Sequence, residues 1–168
     1  MIIQLLQFIY LMIPAYVANM TPVLARKIPW TTPLDLGITF RGKRVFGSHK
    51  TWRGLLLGVL AGTIIGFLFS QMYWPISVNA VYWSLLASFG ALFGDLVKSF
   101  FKRQLNVKPG KSWKPFDQLD FAIGAVIFGS TLYFPGWTVA IFFVIISAAF
   151  HPVVNYSAYL LKIQKEKS

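Results

Sequence analysis

Apolar residues gather in five long runs, not in the short amphipathic stretches of a soluble domain. The runs cover about 2–18, 54–73, 80–97, 119–134 and 137–161, and each is predicted as a membrane-crossing helix. The fourth is the shortest, about 24 Å if helical and straight. The turn signal "FPGW" follows it closely, so the fourth and fifth runs read as a hairpin. The first run opens at Met1 with no basic stretch before it and no A-x-A-like cleavage site after it, so it reads as a retained helix. The expectation is an all-α integral membrane protein, one domain over residues 1–168, with polar connections at about 19–53 and 98–118.

Composition agrees. The chain is 56% hydrophobic and 12% charged, with a mean hydropathy of +0.60, which leaves too little polar surface for a soluble domain of this size. It has no cysteine, which excludes disulfides and zinc–thiolate sites. Its net charge of +11 reads as basic loops facing anionic headgroups rather than as a nucleic-acid footprint.

The positions of those charges give an orientation. All 16 lysines and arginines fall in the connection between runs one and two, the connection between runs three and four, and the C-terminal tail. The connections "MYWPISVN" and "FPGW" contain none. Five spans put every basic segment on one side, which the positive-inside rule makes cytoplasmic, with the N-terminus outside and the C-terminus inside. An even number of spans would mix the two sides.

Polar chemistry collects on that same side. In "GDLVKSFFKR", residues 94–103, helical geometry puts Asp95, Lys98, Ser99, Lys102 and Arg103 on one face and Phe100 and Phe101 on the other. A carboxylate in an apolar helix is a functional candidate by default. Asp117 and Asp120 open the fourth run three residues apart and share a face. Three carboxylates converging near the membrane surface would suit magnesium. The structural alternatives are an N-cap at Asp117 with a capping-box-like Asp120, and a plain ion pair from Asp95 to Lys98 or Lys102.

The loop "RGKRVFGSHKTWRG", residues 41–54, has the glycines and cations to cradle phosphates, or serves only topology and headgroups. His49 reads as a polar loop residue. Gly54, Gly58, Gly62 and Gly66 recur every four residues, and Gly90 and Gly94 repeat the interval, the small-xxx-small pattern of close helix packing. His151-Pro152 predicts a kink in the fifth run.

The order "SHKTWRG", then "DLVKSFFKR", then "PFDQLD" resembles the signature of the CDP-diglyceride synthetase family. The compact length, with "ANMTPVLARK" and "PLDLGITFRGKRVFGSHKTWRG", resembles its archaeal branch, the CDP-archaeol synthases. "WKPFDQLD" departs from the histidine-glycine-glycine stretch of bacterial members, and Gln118 stands where they have an arginine between the aspartates. The resemblance implies a CTP-dependent cytidylyltransferase acting on an unsaturated diether glycerol phosphate lipid, 2,3-bis-O-geranylgeranyl-sn-glycerol 1-phosphate. It implies Mg2+ on Asp95, Asp117 and Asp120. It places Lys50, Ser99, Lys102 and Arg103 around the triphosphate and the lipid phosphate, with Thr51, Lys98 and Lys111 as further nucleotide-binding candidates. Asn19 and Asp35 fit the archaeal pattern without an assigned role.

The implied partners are CTP, an anionic ether lipid phosphate and membrane lipid, with no nucleic acid, and a homo-oligomer is compatible. The implied location is the cell membrane, multi-pass, with a cytoplasmic-facing site. Two other functions fit parts of the pattern: a CTP-dependent polyprenol or phytol kinase, and a small non-enzymatic membrane transporter or subunit.

Overall fold

Two early helices, α1 (Ile2–Leu11) and α2 (Ile13–Leu24), stand where one unbroken helix was expected. Pro14 supplies no N–H, and the Ala15 N–H bonds to the Met12 carbonyl at 3.0 Å. The Leu11 carbonyl accepts the indole N–H of buried Trp83 at 2.9 Å. An apolar interior offers no water to backbone groups, so the break sits where another helix supplies a donor.

In this computed structural model the described residues are 1–107, 111, 113 and 115–160, without the side chains of 151–160. The side chains of His151 and Pro152, Lys108, Lys114, Glu166 and the tail lysines lie outside them. After α2 a 3₁₀ turn (Ala25–Lys27) leads to a hairpin of β1 (Thr39–Phe40) and β2 (Lys43–Arg44). Then follow α3 (Trp52–Ser70), α4 (Ala80–Gln104), α5 (Phe116–Gly129) and α6 (Trp137–Leu160).

Thr51 caps α3 by accepting the Gly54 N–H at 3.2 Å, and Asn79 caps α4 through the N–H groups of Val81 and Tyr82. Helix α4 runs about two turns beyond the expected end at 97. Its charged last turns are held there by partners from the loops: Lys43 Nζ donates to the Gln104 carbonyl at 2.6 Å, and Phe40 packs on Phe100.

Residues Ile2–Lys27, Trp52–Ser70 and Ala80–Gln104 are each long and apolar enough to cross a membrane. Large apolar side chains point outward along them, among them Ile3, Leu60, Phe67 and Phe93, as a surface facing lipid requires. The core is aromatic. Phe8 meets Phe143 edge-on at 5.3 Å and Tyr16 lies 5.2 Å from Phe121, centroid to centroid. The Tyr16 hydroxyl bonds to Ser147 at 2.6 Å, tying α2 to α6.

The glycine stripes are packing surfaces, as expected. On α3, Gly58 faces Leu92 and the Ala18 carbonyl, while Gly62 faces Ser88 and the Pro14 carbonyl. On α4, a methyl group at Gly94 would overlap the Asp120 carbonyl, and one at Gly124 of α5 would overlap the Gly90 carbonyl. Bare backbone meets bare backbone at this crossing. The crossing places Asp120 of α5 beside Asp95, one residue past Gly94.

Candidate active site

The charged face of α4 meets the start of α5 and the end of the first basic loop. The Lys98 ammonium lies 3.0 Å from Asp95 Oδ1, 3.2 Å from Asp117 Oδ1 and 2.5 Å from Asp120 Oδ2. Lys50 pairs with Asp95 from the loop side. Lys102 Nζ lies 2.9 Å from Asp117 Oδ1. The three aspartates predicted to converge do so, and three lysines interleave them.

Local structure explains each position. Asp95 and Lys98 are one turn apart on α4, and Lys102 is one turn further. Asp117 and Asp120 share the first turns of α5. The structural alternative of an N-cap at Asp117 is not what the fold uses: the cap position is Pro115, with no side-chain cap bond, and Asp117 is the second helical residue. Its carboxylate accepts the Trp113 N–H and so closes the entry to the helix. The side chain of Asp120 turns to Lys98 and to the N–H of Phe121, at 2.7 Å. Asp95 lies more than two turns before the end of α4, away from the helix terminus.

Lys50 is placed by a clamp in the loop. Pro33 bridges Thr51, the Leu34 N–H donates to the Lys50 carbonyl at 2.7 Å, and the Trp52 N–H donates to the Thr32 carbonyl at 3.1 Å. The hydroxyl of Thr51 is engaged as the α3 cap, which gives this residue a positioning role. Ser99 is buried, and its hydroxyl donates to the Asp95 carbonyl at 2.8 Å. Arg103 packs against Gly47, and its Nε is buried without a partner. This leaves a guanidinium donor unsatisfied one residue past Lys102 on α4, and such a donor suits a phosphate. Lys111 and His49 are exposed and outside the cluster.

Asp35 is one of the two residues, with Asn19, whose role the sequence left open. It is buried, and its carboxylate accepts the N–H groups of Gly37, Phe46 and Gly47 at 3.1, 3.1 and 2.9 Å and the guanidinium of Arg44. Gly47, at φ +88, is in the left-handed region. The spacing "D-x-G" was the available signal, since aspartate commonly accepts the N–H two residues on. Burial raises the pKa of Asp35, but Arg44 and the three N–H groups outweigh it and hold the carboxyl at about 2.

That depression makes a prediction. Its stabilisation is fully present above the ordinary value of 3.8 and is lost as pH falls through about 2. The protection factors of the Phe46 and Gly47 amides should therefore hold down to about pH 4 and fall between there and about pH 2. In Asp35→Asn they should be low already at neutral pH. Unchanged protection in that variant would mean the loop is held by other contacts.

Among the described residues no three His, Asp or Glu side chains are spaced to grip a metal as they stand. The spacing of the aspartates is set around an ammonium. Their donor chemistry nevertheless fits a hard cation: carboxylate oxygens from two helices converge on one positive centre.

Comparison with known proteins shows the family of the chain. The CarS-like family model, described as CDP-archaeol synthase, matches residues 1–167. A CDP-archaeol synthase of Thermococcus onnurineus is 40% identical over 161 residues, 93% of this chain and 92% of its own length. One from Pyrobaculum aerophilum is 36% identical over 160 residues, covering 95% and 96%. A solved structure described as an intramembrane enzyme for archaeal membrane lipids biosynthesis is similar at a TM-score of 0.78 and 34% identity, over 90% of this chain and 94% of that one.

Proposed function

We propose, from the premise that this chain belongs to the CDP-archaeol synthase family, that the carboxylate–lysine cluster is where it joins CTP to an archaeal ether lipid phosphate. The chain is a multi-pass membrane enzyme, a CTP-using cytidylyltransferase acting on a lipid phosphate. Family membership sets aside the kinase and transporter alternatives. The substrate detail is ours: 2,3-bis-O-geranylgeranyl-sn-glycerol 1-phosphate, with Mg2+ held by Asp95, Asp117 and Asp120.

The carrying observation is the convergence of these aspartates with Lys50, Lys98 and Lys102 at the basic end of a lipid-facing bundle. A phosphate oxygen of the lipid attacks the α-phosphorus of CTP. The new phosphorus–oxygen bond forms as the bond from that phosphorus to the α,β-bridging oxygen breaks, and pyrophosphate leaves with the electron pair. No general base is needed, because the attacking phosphate is already ionised. Both reactants are anions, so the chain's task is to hold them together against repulsion. Lys50 and Lys102 neutralise phosphate charge, and Arg103 brings its free Nε to the same region. The divalent cation, when bound, supplies further charge neutralisation on the phosphate oxygens. The polyprenyl tails remain in lipid beside the apolar outer faces of the helices.

Incubation of the purified enzyme with CTP and the diether phosphate should release pyrophosphate and form the CDP-lipid, identified by mass spectrometry. A diacyl phosphate should react more slowly. Release of CDP with a phosphorylated lipid would overturn the reading.

The basic end is assigned to the cytoplasm, because every lysine and arginine lies in segments that five spans put on one side. Tags at the two termini should then be accessible from opposite faces, the N-terminal tag outside. Finding both on one face would overturn the five-span arrangement.

A further inference from the structure

We propose that Lys98 is an exchangeable counter-cation: its ammonium occupies the centre of the three carboxylates until a nucleotide-bound divalent cation replaces it, so metal enters with the nucleotide and not ahead of it. The inference rests on the assignment of Asp95, Asp117 and Asp120 as the metal-holding set.

The first ground is position. Lys98 Nζ contacts all three carboxylates, at 3.0, 3.2 and 2.5 Å. No other cation among the described residues does so: Lys50 is paired only with Asp95, and Lys102 only with Asp117. The oxygens a hard cation needs are thus already turned toward a positive charge. The absence of a ready three-carboxylate grip among the described residues has the same cause.

The second ground is charge. Three aspartates face Lys50, Lys98 and Lys102, so the cluster is neutral as it stands. A bare divalent cation entering here would meet carboxylates already neutralised and would add uncompensated charge to a largely buried site. A divalent cation on a nucleoside triphosphate arrives as a net anion. The carboxylates then take the cation while the released lysine takes phosphate oxygens, and every charge keeps a partner.

The third ground is reach. Lys98 is a lysine on a flexible four-carbon stem. Its ammonium can move from carboxylate to phosphate without displacing the backbone of α4. Lys102, one turn along the same face, and Arg103, with its free Nε, are the adjacent cations among which a phosphate would find it.

The test measures binding of Mn2+, used as the probe metal, to the full-length enzyme in detergent, by titration with and without a non-hydrolysable CTP analogue. The wild type should bind bare Mn2+ weakly and bind it at least about tenfold more tightly with the analogue, a difference of about 1.4 kcal/mol. Lys98→Met should bind bare Mn2+ at least about tenfold more tightly than the wild type, because the competing charge is gone. Lys98→Arg, which keeps the charge, should stay weak. Adding Asp120→Asn to Lys98→Met should abolish the gain, which locates it in the carboxylates.

Lys98→Met leaves the carboxylates unneutralised, so its melting temperature should fall without metal and recover with Mn2+ alone, a response the wild type lacks. If that variant does not fold even with Mn2+, the wild-type binding order decides. Tight wild-type binding of bare Mn2+ overturns the proposal, as does a Lys98→Met affinity equal to or below the wild type. CDP-lipid formation by the wild-type preparation is read in parallel. Product without nucleotide-dependent Mn2+ binding in any variant overturns both the exchange and the metal assignment, but leaves the cytidylyl transfer standing.

Discussion

Replacing Asp95 with asparagine is expected to reduce cytidylyl transfer by at least about a hundredfold, the scale of losing one preorganised electrostatic group at a reacting phosphate. Asp95 is the carboxylate shared between Lys50 of the loop and Lys98 of its own helix. Asparagine preserves its size and removes the charge. The loop lysine then loses its anchor on α4, and the carboxylate set is reduced from three to two. A purely structural ion pair makes a different forecast: some loss of melting temperature, with near-normal turnover in the protein that remains folded. Turnover against magnesium concentration, recorded with melting temperature, separates the two. The same pair of measurements on Asp117→Asn and Asp120→Asn ranks the remaining carboxylates. Asp117 also closes the entry to α5 through the Trp113 N–H, so its variant should lose more stability than that of Asp120. Full activity in all three variants at saturating magnesium would sink the three-carboxylate site.

Gly94→Ala is expected to be nearly as damaging, although glycine carries no chemistry. The added methyl would meet the carbonyl of Asp120 and the Cα of Gly124. These are backbone atoms and cannot rotate away, so α4 and α5 must separate. Displacing reacting groups by about 1 Å can cost about a hundredfold in rate, and overpacking costs about 1–3 kcal/mol in stability. Gly62→Ala is the matched control. It crowds Ser88 and the Pro14 carbonyl at the crossing with α2, away from the aspartates. It should lower the melting temperature while its folded fraction turns over normally. Wild-type turnover by Gly94→Ala would show that the aspartates do not depend on this close approach.

The exposed apolar faces and the basic end have a common physical origin. Lipid imposes its demand residue by residue, through composition and length, and a local demand is legible locally. Hence the helical class and the apolar runs could be read along the chain. The shared face of Asp95, Lys98 and Lys102 was legible for the same reason, since helical period alone determines it. So was the pairing of Asp117 with Asp120.

What those faces meet is not a local property, and only the tertiary structure decided it. The Gly94–Gly124 crossing decided that Asp120 reaches Lys98. The fold of the first loop decided that Lys50 answers Asp95, and it gave Asp35 four partners spread over residues 37–47. The same loop engaged Thr51 as a cap and carried α4 on to Gln104. The helix break at Met12, just before Pro14, leaves the Leu11 carbonyl to accept from Trp83 on another helix. Periodicity states which side chains travel together. Long-range packing states which charge each of them finds, and in this protein it put a lysine at the centre of the three carboxylates.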